Sequence, residues 1–240
     1  IKTSLSKDEI GLDLPIILFA SNWLKQQKDC RLNQAFWRGI RDYFESRGFT
    51  AQAMLLVEDF TKISDEIGIS DLRAYFYRQL GKAKFQLAKS RSPKKYLDEA
   101  LDAMKIGLEL EERKTGLEGL EAKGKAYTSI GRIYVRLAKQ NKKTDVADSK
   151  LQHLEQAISY HRKALEIAKQ VESLESMSYA LNTLAIALAE TNLPDYCQEA
   201  EKLCVQALEM ANGVDPRETV VVIHHYITVL NHQIKILSPG

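Results

Sequence analysis

Three cysteines in 240 residues, at positions 30, 197 and 204, are odd in number and widely scattered, which excludes a disulfide framework and predicts a reducing, cytoplasmic setting. No unbroken apolar run approaches the roughly 20 residues that a membrane helix needs. The longest candidate, Leu14 to Ala20, contains Pro15 and is followed by Ser21 and Asn22, so it reads as a buried helix. No glycine-rich loop ends in Lys-Ser or Lys-Thr, so nucleotide hydrolysis is not expected of these residues. The five histidines lack the one-turn pairing around an acid that marks a helical zinc site. His161 reads as a packed core residue, and Cys197 and Cys204 as small buried apolar groups. No catalytic residue, metal site or cofactor is predicted. A secretory signal pattern is missing too, and Ile1 in place of an initiator methionine is expected to mark a fragment of a longer chain.

Charge of either sign is not in excess. Lys and Arg number 34 against 32 acids, a net +2, and the paired lysines Lys94-Lys95 and Lys142-Lys143 are short and expected in loops. A single-strand nucleic-acid binder would show a longer basic stripe interleaved with stacking aromatics, so nucleic acid is an unlikely partner.

What the chain does have is a two-part pattern that returns four times. Its first half reads Tyr77-x2-Leu80-Gly81-x2-Lys84, Tyr127-x2-Ile130-Gly131-x2-Tyr134 and Leu181-x2-Leu184-Ala185-x2-Leu188, with a looser copy at Phe36-x2-Gly39-Ile40-x2-Tyr43. Its second half is an alanine (Ala53, Ala100, Ala157, Ala200) followed four residues on by Val57, Met104, His161 and Cys204. Two antiparallel helices approach closely only where the crossing points carry no bulk, so this spacing predicts helical hairpins. One hairpin cannot bury its own apolar face, so neighbours must stack. The expected fold is therefore all-α, an α-solenoid of four hairpins with flanking helices.

These motifs resemble the tetratricopeptide repeat, with its aromatic-x2-Leu-Gly-x2-Tyr and Ala-x3-Phe positions. The resemblance covers residues 31 to 212 and implies a right-handed superhelix with a concave face lined by the first helix of each hairpin. Spacing between the equivalent positions Ile40, Gly81, Gly131 and Ala185 runs 41, 50 and 54 residues, longer than the usual 34 or so. The excess is assigned mainly to loops at Ser90 to Tyr96 and Gln140 to Leu151, and partly to long helices at Leu120 to Leu137 and Leu154 to Val171. The array divides at 31–70, 71–115, 116–172 and 173–212. Ahead of it lie a polar lead-in over residues 1–12 and, within 1–30, a helix with Asp13 as cap. Behind it, residues 213–240 carry a helix from Glu218 to Ile236, with Ile223, Ile227, Leu230 and Ile234 on one face and Val222 and Val229 beside it. That helix either caps the stack or meets a further helix.

The stretches ISDEIGISDLRAYFYRQLG and ALEIAKQVESLESMSYALNTLA also look like the long repeats that follow the nucleotide-binding module in signal-transduction ATPases with numerous domains. That second resemblance implies a sensor region of a larger regulator.

On the first helices, spacing of three and four selects sixteen groove-facing positions: Gln34, Trp37, Arg41 and Phe44; Tyr75, Arg78, Lys82 and Phe85; Lys125, Thr128, Arg132 and Val135; Tyr179, Asn182, Ile186 and Ala189. Arg41, Arg78, Lys82, Lys125 and Arg132 make five of them basic, and none is acidic. Converging cations attract acidic segments, with Trp37, Tyr75 and Tyr179 as flat apolar anchors and Asn182 as a polar contact. The same residues would equally serve as a solvated face. A chaperone-type carboxylate clamp is not expected, because Trp37 with Arg41 and Arg78 with Lys82 stand where lysine and asparagine are needed. The function expected is capture of an acidic protein or peptide, the alternatives being a scaffold that self-associates through its convex face or last helix and, less favoured, nucleic-acid binding.

Overall fold

The computed structural model describes residues 14–89, 93–112, 114, 116–140, 147–211 and 216–237. The lead-in, Asp13, Lys142-Lys143 and Gly213 lie outside them. The described residues are all helix and connections: α1 (Leu14–Gln27), α2 (Cys30–Arg47), α3 (Thr50–Ile67), α4 (Ser70–Leu87), α5 (Pro93–Glu112), α6 (Leu117–Gln140), α7 (Ala147–Gln170), α8 (Leu174–Ala189), α9 (Pro194–Ala211) and α10 (Pro216–Leu237).

Local chemistry sets several of these ends. The Asp29 carboxylate accepts from the backbone N–H groups of Arg31 and Leu32 at 2.9 and 3.1 Å and so starts α2. Gly48 and Gly68, at φ +73° and +77°, adopt the left-handed conformation that closes α2 and α3 and allows two-residue turns. Part of the segment expected as loop is helix instead. Pro93 sits at the first position of α5, where its missing N–H costs nothing, so Lys94 and Lys95 lie in a helical first turn. α6 and α7 each reach 24 residues, so much of the excess repeat length is helix rather than loop.

Consecutive helices pack as antiparallel hairpins α2/α3, α4/α5, α6/α7 and α8/α9, and each second helix also lies against the next first helix. First helices touch one another directly, from α2 to α4, α6, α8 and α10. This is a solenoid. Its core follows the crossings. A Cβ built on Gly81 would stand 2.7 Å from Met104 Cγ and 3.1 Å from the Ala100 carbonyl oxygen, and one on Gly131 only 2.6 Å from the His161 ring. Gly39 differs, with nothing within 4 Å of its would-be Cβ, while the buried Ile40 takes the crossing position. Hairpin α2/α3 accordingly touches over fewer residues than the other three, and within it Phe60 meets Phe36 edge-on at 6.5 Å.

His161 has no exposed surface, and neither ring nitrogen has a hydrogen-bond partner. Burial, with the Arg132 cation adding to it, pushes its pKa down to about 3. The neutral ring is thus part of the core. Cys30, Cys197 and Cys204 are buried and unpaired with one another, and burial pushes the Cys204 thiol up to about 12. α1 is only half buried, contrary to the expectation of a buried helix. Ile17, Ser21 and Leu24 face α2 and α3, whereas Ile16, Phe19 and Trp23 face outward, because a single end helix has neighbours on one side only.

Two outcomes are expected. Gly131→Ala lowers stability by about 1–3 kcal/mol through overpacking against a buried ring, whereas Gly39→Ala raises it by up to about 1 kcal/mol through helix propensity; urea titrations of both variants check the contrast. A histidine whose folded pKa is depressed leaves the unfolded chain binding more protons between that pKa and the ordinary value near 6.5, so stability is full above about 6.5 and falls toward pH 3. His161→Phe should flatten this part of the stability profile, measured by thermal unfolding from pH 7 to 4.

Candidate functional site

The concave surface is built by α2, α4, α6 and α8, whose three-and-four spacing repeatedly presents one row of side chains to the same side. Three adjoining cavities lie along it. The first, about 290 Å³, is lined by Arg41, Glu45, Lys82, Phe85, Ser129 and Arg132 among others. The second, about 360 Å³, includes Lys82, Lys125, Thr128, Arg132, Glu175 and Tyr179. A third, about 450 Å³, continues toward α10 past Lys89, Arg132, Arg136, Lys139, Tyr179 and His225. Lys82 is shared by the first two and Arg132 by all three, so the cavities form one groove with these two cations at its middle.

Lys82 projects into the groove and has no carboxylate partner among the described residues. Its side chain is open to solvent, yet the walls around its ammonium remove much of its hydration. That desolvation first, and then the cations of Arg78, Arg41 and Lys125, lower its pKa against the opposing pull of Glu45. Arg132 has neutral partners. Its Nη1 donates to the Tyr179 hydroxyl at 3.0 Å, and its guanidinium carbon lies 5.6 Å from the centre of the Phe85 ring. The flanking cations are better compensated. Arg41 meets Asp42 at 3.0 Å and Glu45 at 3.9 Å, and Lys125 meets Glu121 at 3.5 Å.

Four of the sequence-selected residues are buried or turned toward a neighbouring helix, Trp37 while still lining the floor of the first cavity. Trp37 is buried at 3% exposure under the first cavity, where its Nε1 donates to Gln79 Oε1 at 3.3 Å. Tyr75 is buried at 8% beside Phe76, with Arg38 stacked 5.2 Å from its ring centre. Both rings point into the seams between neighbouring helices, because a stacked array needs bulk there. Arg78 faces α5 instead of the groove. Its guanidinium pairs at 3.3 Å with Glu111, a fully buried carboxylate that Lys114 also meets at 2.9 Å. Burial lowers the Arg78 pKa, and Glu111 opposes that effect. Asn182 is buried too, with Nδ2 donating to Nδ1 of His225 at 2.7 Å. Burial, then the charges of His224, Arg132 and Lys139, lower the pKa of that imidazole.

Arg41, Lys82, Lys125, Arg132 and Tyr179 are thus the ones that the structure brings together on the groove surface. Lys89, Arg136 and Lys139 extend the basic row and went unselected, although Arg136 follows Arg132 by one helical turn and the same spacing reaches it. Lys139 is held by Glu190 at 2.6 Å. Among the described residues no group of three or more His, Cys, Asp or Glu side chains could hold a metal ion, and no helix is long and apolar enough to cross a membrane.

No protein-family model matches the chain, and no curated protein resembles it closely enough to count as a relative. Among solved structures, it is similar to a de novo designed helical repeat protein, DHR81, at a TM-score of 0.51 and 16% identity, over 79% of this chain and 92% of that one. Similarity to the DHF119 filament, with a TM-score of 0.32 and 13% identity over 92% and 96% of the two chains, is too loose to bear on the fold. The first likeness shows a helical repeat architecture, a type of scaffold, and nothing of a ligand.

Because Arg78 compensates Glu111, Arg78→Met is expected to cost about 3 kcal/mol by leaving a buried carboxylate short of one partner. Denaturant titration checks the size, and the loss should shrink in the Arg78→Met, Glu111→Leu double variant.

Proposed function

We propose that the chain is a protein-binding module of tetratricopeptide type whose groove captures an extended acidic segment. The carrying observation is the pair Lys82 and Arg132, two cations in the middle of a concave surface that form no ion pair with a carboxylate among the described residues, although Glu45, Glu121 and Glu175 also line the cavities. Like charges gathered in a walled cleft raise the local potential, and a guanidinium fork matches a carboxylate. Such a cost is relieved when an anion arrives from outside. Phe85 and Tyr179 flank Arg132 and offer apolar contact to the stem of an acidic side chain. A sensor role within a signal-transduction ATPase rests on the resemblance of the two sequence stretches given above. In that setting, a ligand spanning α2 to α8 would bias the curvature of the stack and pass the change to a neighbouring domain.

The test is fluorescence anisotropy of a labelled twelve-residue Asp/Glu-rich peptide, alongside a neutral peptide of equal length. Saturable binding is expected, weakening with salt, and the Lys82→Glu, Arg132→Glu double variant should bind at least about a hundredfold more weakly, near 2.7 kcal/mol. Equal binding by the double variant, or by the neutral peptide, would overturn the proposal. Acid seated beside Lys82 raises that lysine's lowered pKa, so binding takes up protons and strengthens as pH falls from 10 toward 7; calorimetry in buffers of differing ionisation enthalpy checks the sign.

A further inference from the structure

α10 occupies the place of a first helix. It lies against α9 and α8 as α8 lies against α7 and α6. The sequence register says the same: Val222 and Val229 are buried seven residues apart, as are Ala126 and Ile133 in α6 and Ala180 and Ala187 in α8. One residue beyond the first of each pair come Tyr127, Leu181 and Ile223, and five beyond come Gly131, Ala185 and Ile227. In the earlier hairpins these positions face the second helix. On α10 that face is bare, with Ile223, Ile227 and Ile234 exposed at 43%, 52% and 59%.

At the opposite end of the stack, α1 buries Ile17, Ser21 and Leu24 and leaves Ile16, Phe19 and Trp23 outward, the aromatic pair at 77% and 52% exposure. Their i, i+3, i+7 spacing makes one stripe. Neither stripe is interrupted by a carboxylate, lysine or arginine: no Asp, Glu, Lys or Arg occurs from Leu14 to Leu24 or from Thr219 to Ile234, although α10 carries His224, His225 and His232. Exposed apolar stripes of this kind mark interaction sites.

We propose that these two faces meet each other, α10 of one copy against α1 of a second copy, so that the chain associates end to end. Two observations select this occupant. The α10 face lies where the repeat register calls for a helix, and at the other end of the stack α1 offers an apolar stripe of Ile16, Phe19 and Trp23 that no helix of the same copy covers. A two-fold contact of α10 on α10 leaves the α1 stripe in water, whereas an end-to-end contact covers both. A contact between unlike surfaces does not close on itself and can propagate.

Sedimentation of the 240-residue chain across concentration, with circular dichroism to verify helicity, provides the test. The average mass is expected to rise with concentration beyond twice the monomer's 27.2 kDa. Trp23→Glu spoils one end and Ile227→Glu the other, so each variant alone should remain monomeric. Mixed in equal amounts, they should form a one-to-one dimer and nothing larger, because each retains the end that the other lacks. That recovery also shows both variants to be folded. A parent chain that stays monomeric, a mixture that stays monomeric, or loss of association in Ile227→Glu with Trp23→Glu unaffected would each overturn the proposal, the last in favour of α10 on α10.

Discussion

Everything in this molecule depends on how near two helices of a hairpin can come to each other. At Gly131 the approach is close enough that a single methyl would strike the His161 ring, and at Gly81 one would strike Met104 and the Ala100 backbone. Close crossing lets the larger side chains beside each small residue fill the space between helices, which is the source of the continuous core along α5 to α10. It also fixes the direction of every first helix, and hence which of its faces opens onto the groove. Position in the groove is a consequence of packing, reached before any ligand is considered.

The same constraint sorts the charges. Arg78 and Lys82 are one helical turn apart, yet Arg78 turns into the crossing with α5 and meets Glu111, while Lys82 turns outward and forms no ion pair among the described residues, with Glu45 acting on it only from a distance. A buried cation must be compensated within the protein, because its hydration is gone. One in a cleft can be left to an outside partner. Arg132 takes an intermediate course, held by a hydroxyl and an aromatic face that position it without neutralising it.

Periodicity alone revealed the helices and their pairing, because small residues at Gly81, Gly131 and Ala185 leave few other folds open. It could not tell which of two adjacent faces a large residue would choose. Trp37, Tyr75 and Asn182 satisfy the groove spacing as well as the seam spacing, since the two differ by less than half a turn, and burial settled the matter. Arg78 was beyond reach for another reason: its partner Glu111 lies 33 residues away on α5, and nothing local announces that pairing. The longer helices escaped notice where polar text, as at Lys94-Lys95, reads equally as loop or as a solvated first turn.

Hairpin α2/α3, with Ile40 in place of a small residue, touches over less surface than its neighbours and is fastened to α1 by two salt bridges, Lys25 to Asp59 and Lys28 to Glu66. Its neighbours in space are mostly its neighbours in sequence, so little loop entropy is recovered by holding it down. The stack therefore has a direction of wear. Local opening is expected to begin at the amino-terminal hairpin, where the fewest contacts between its own two helices must be broken.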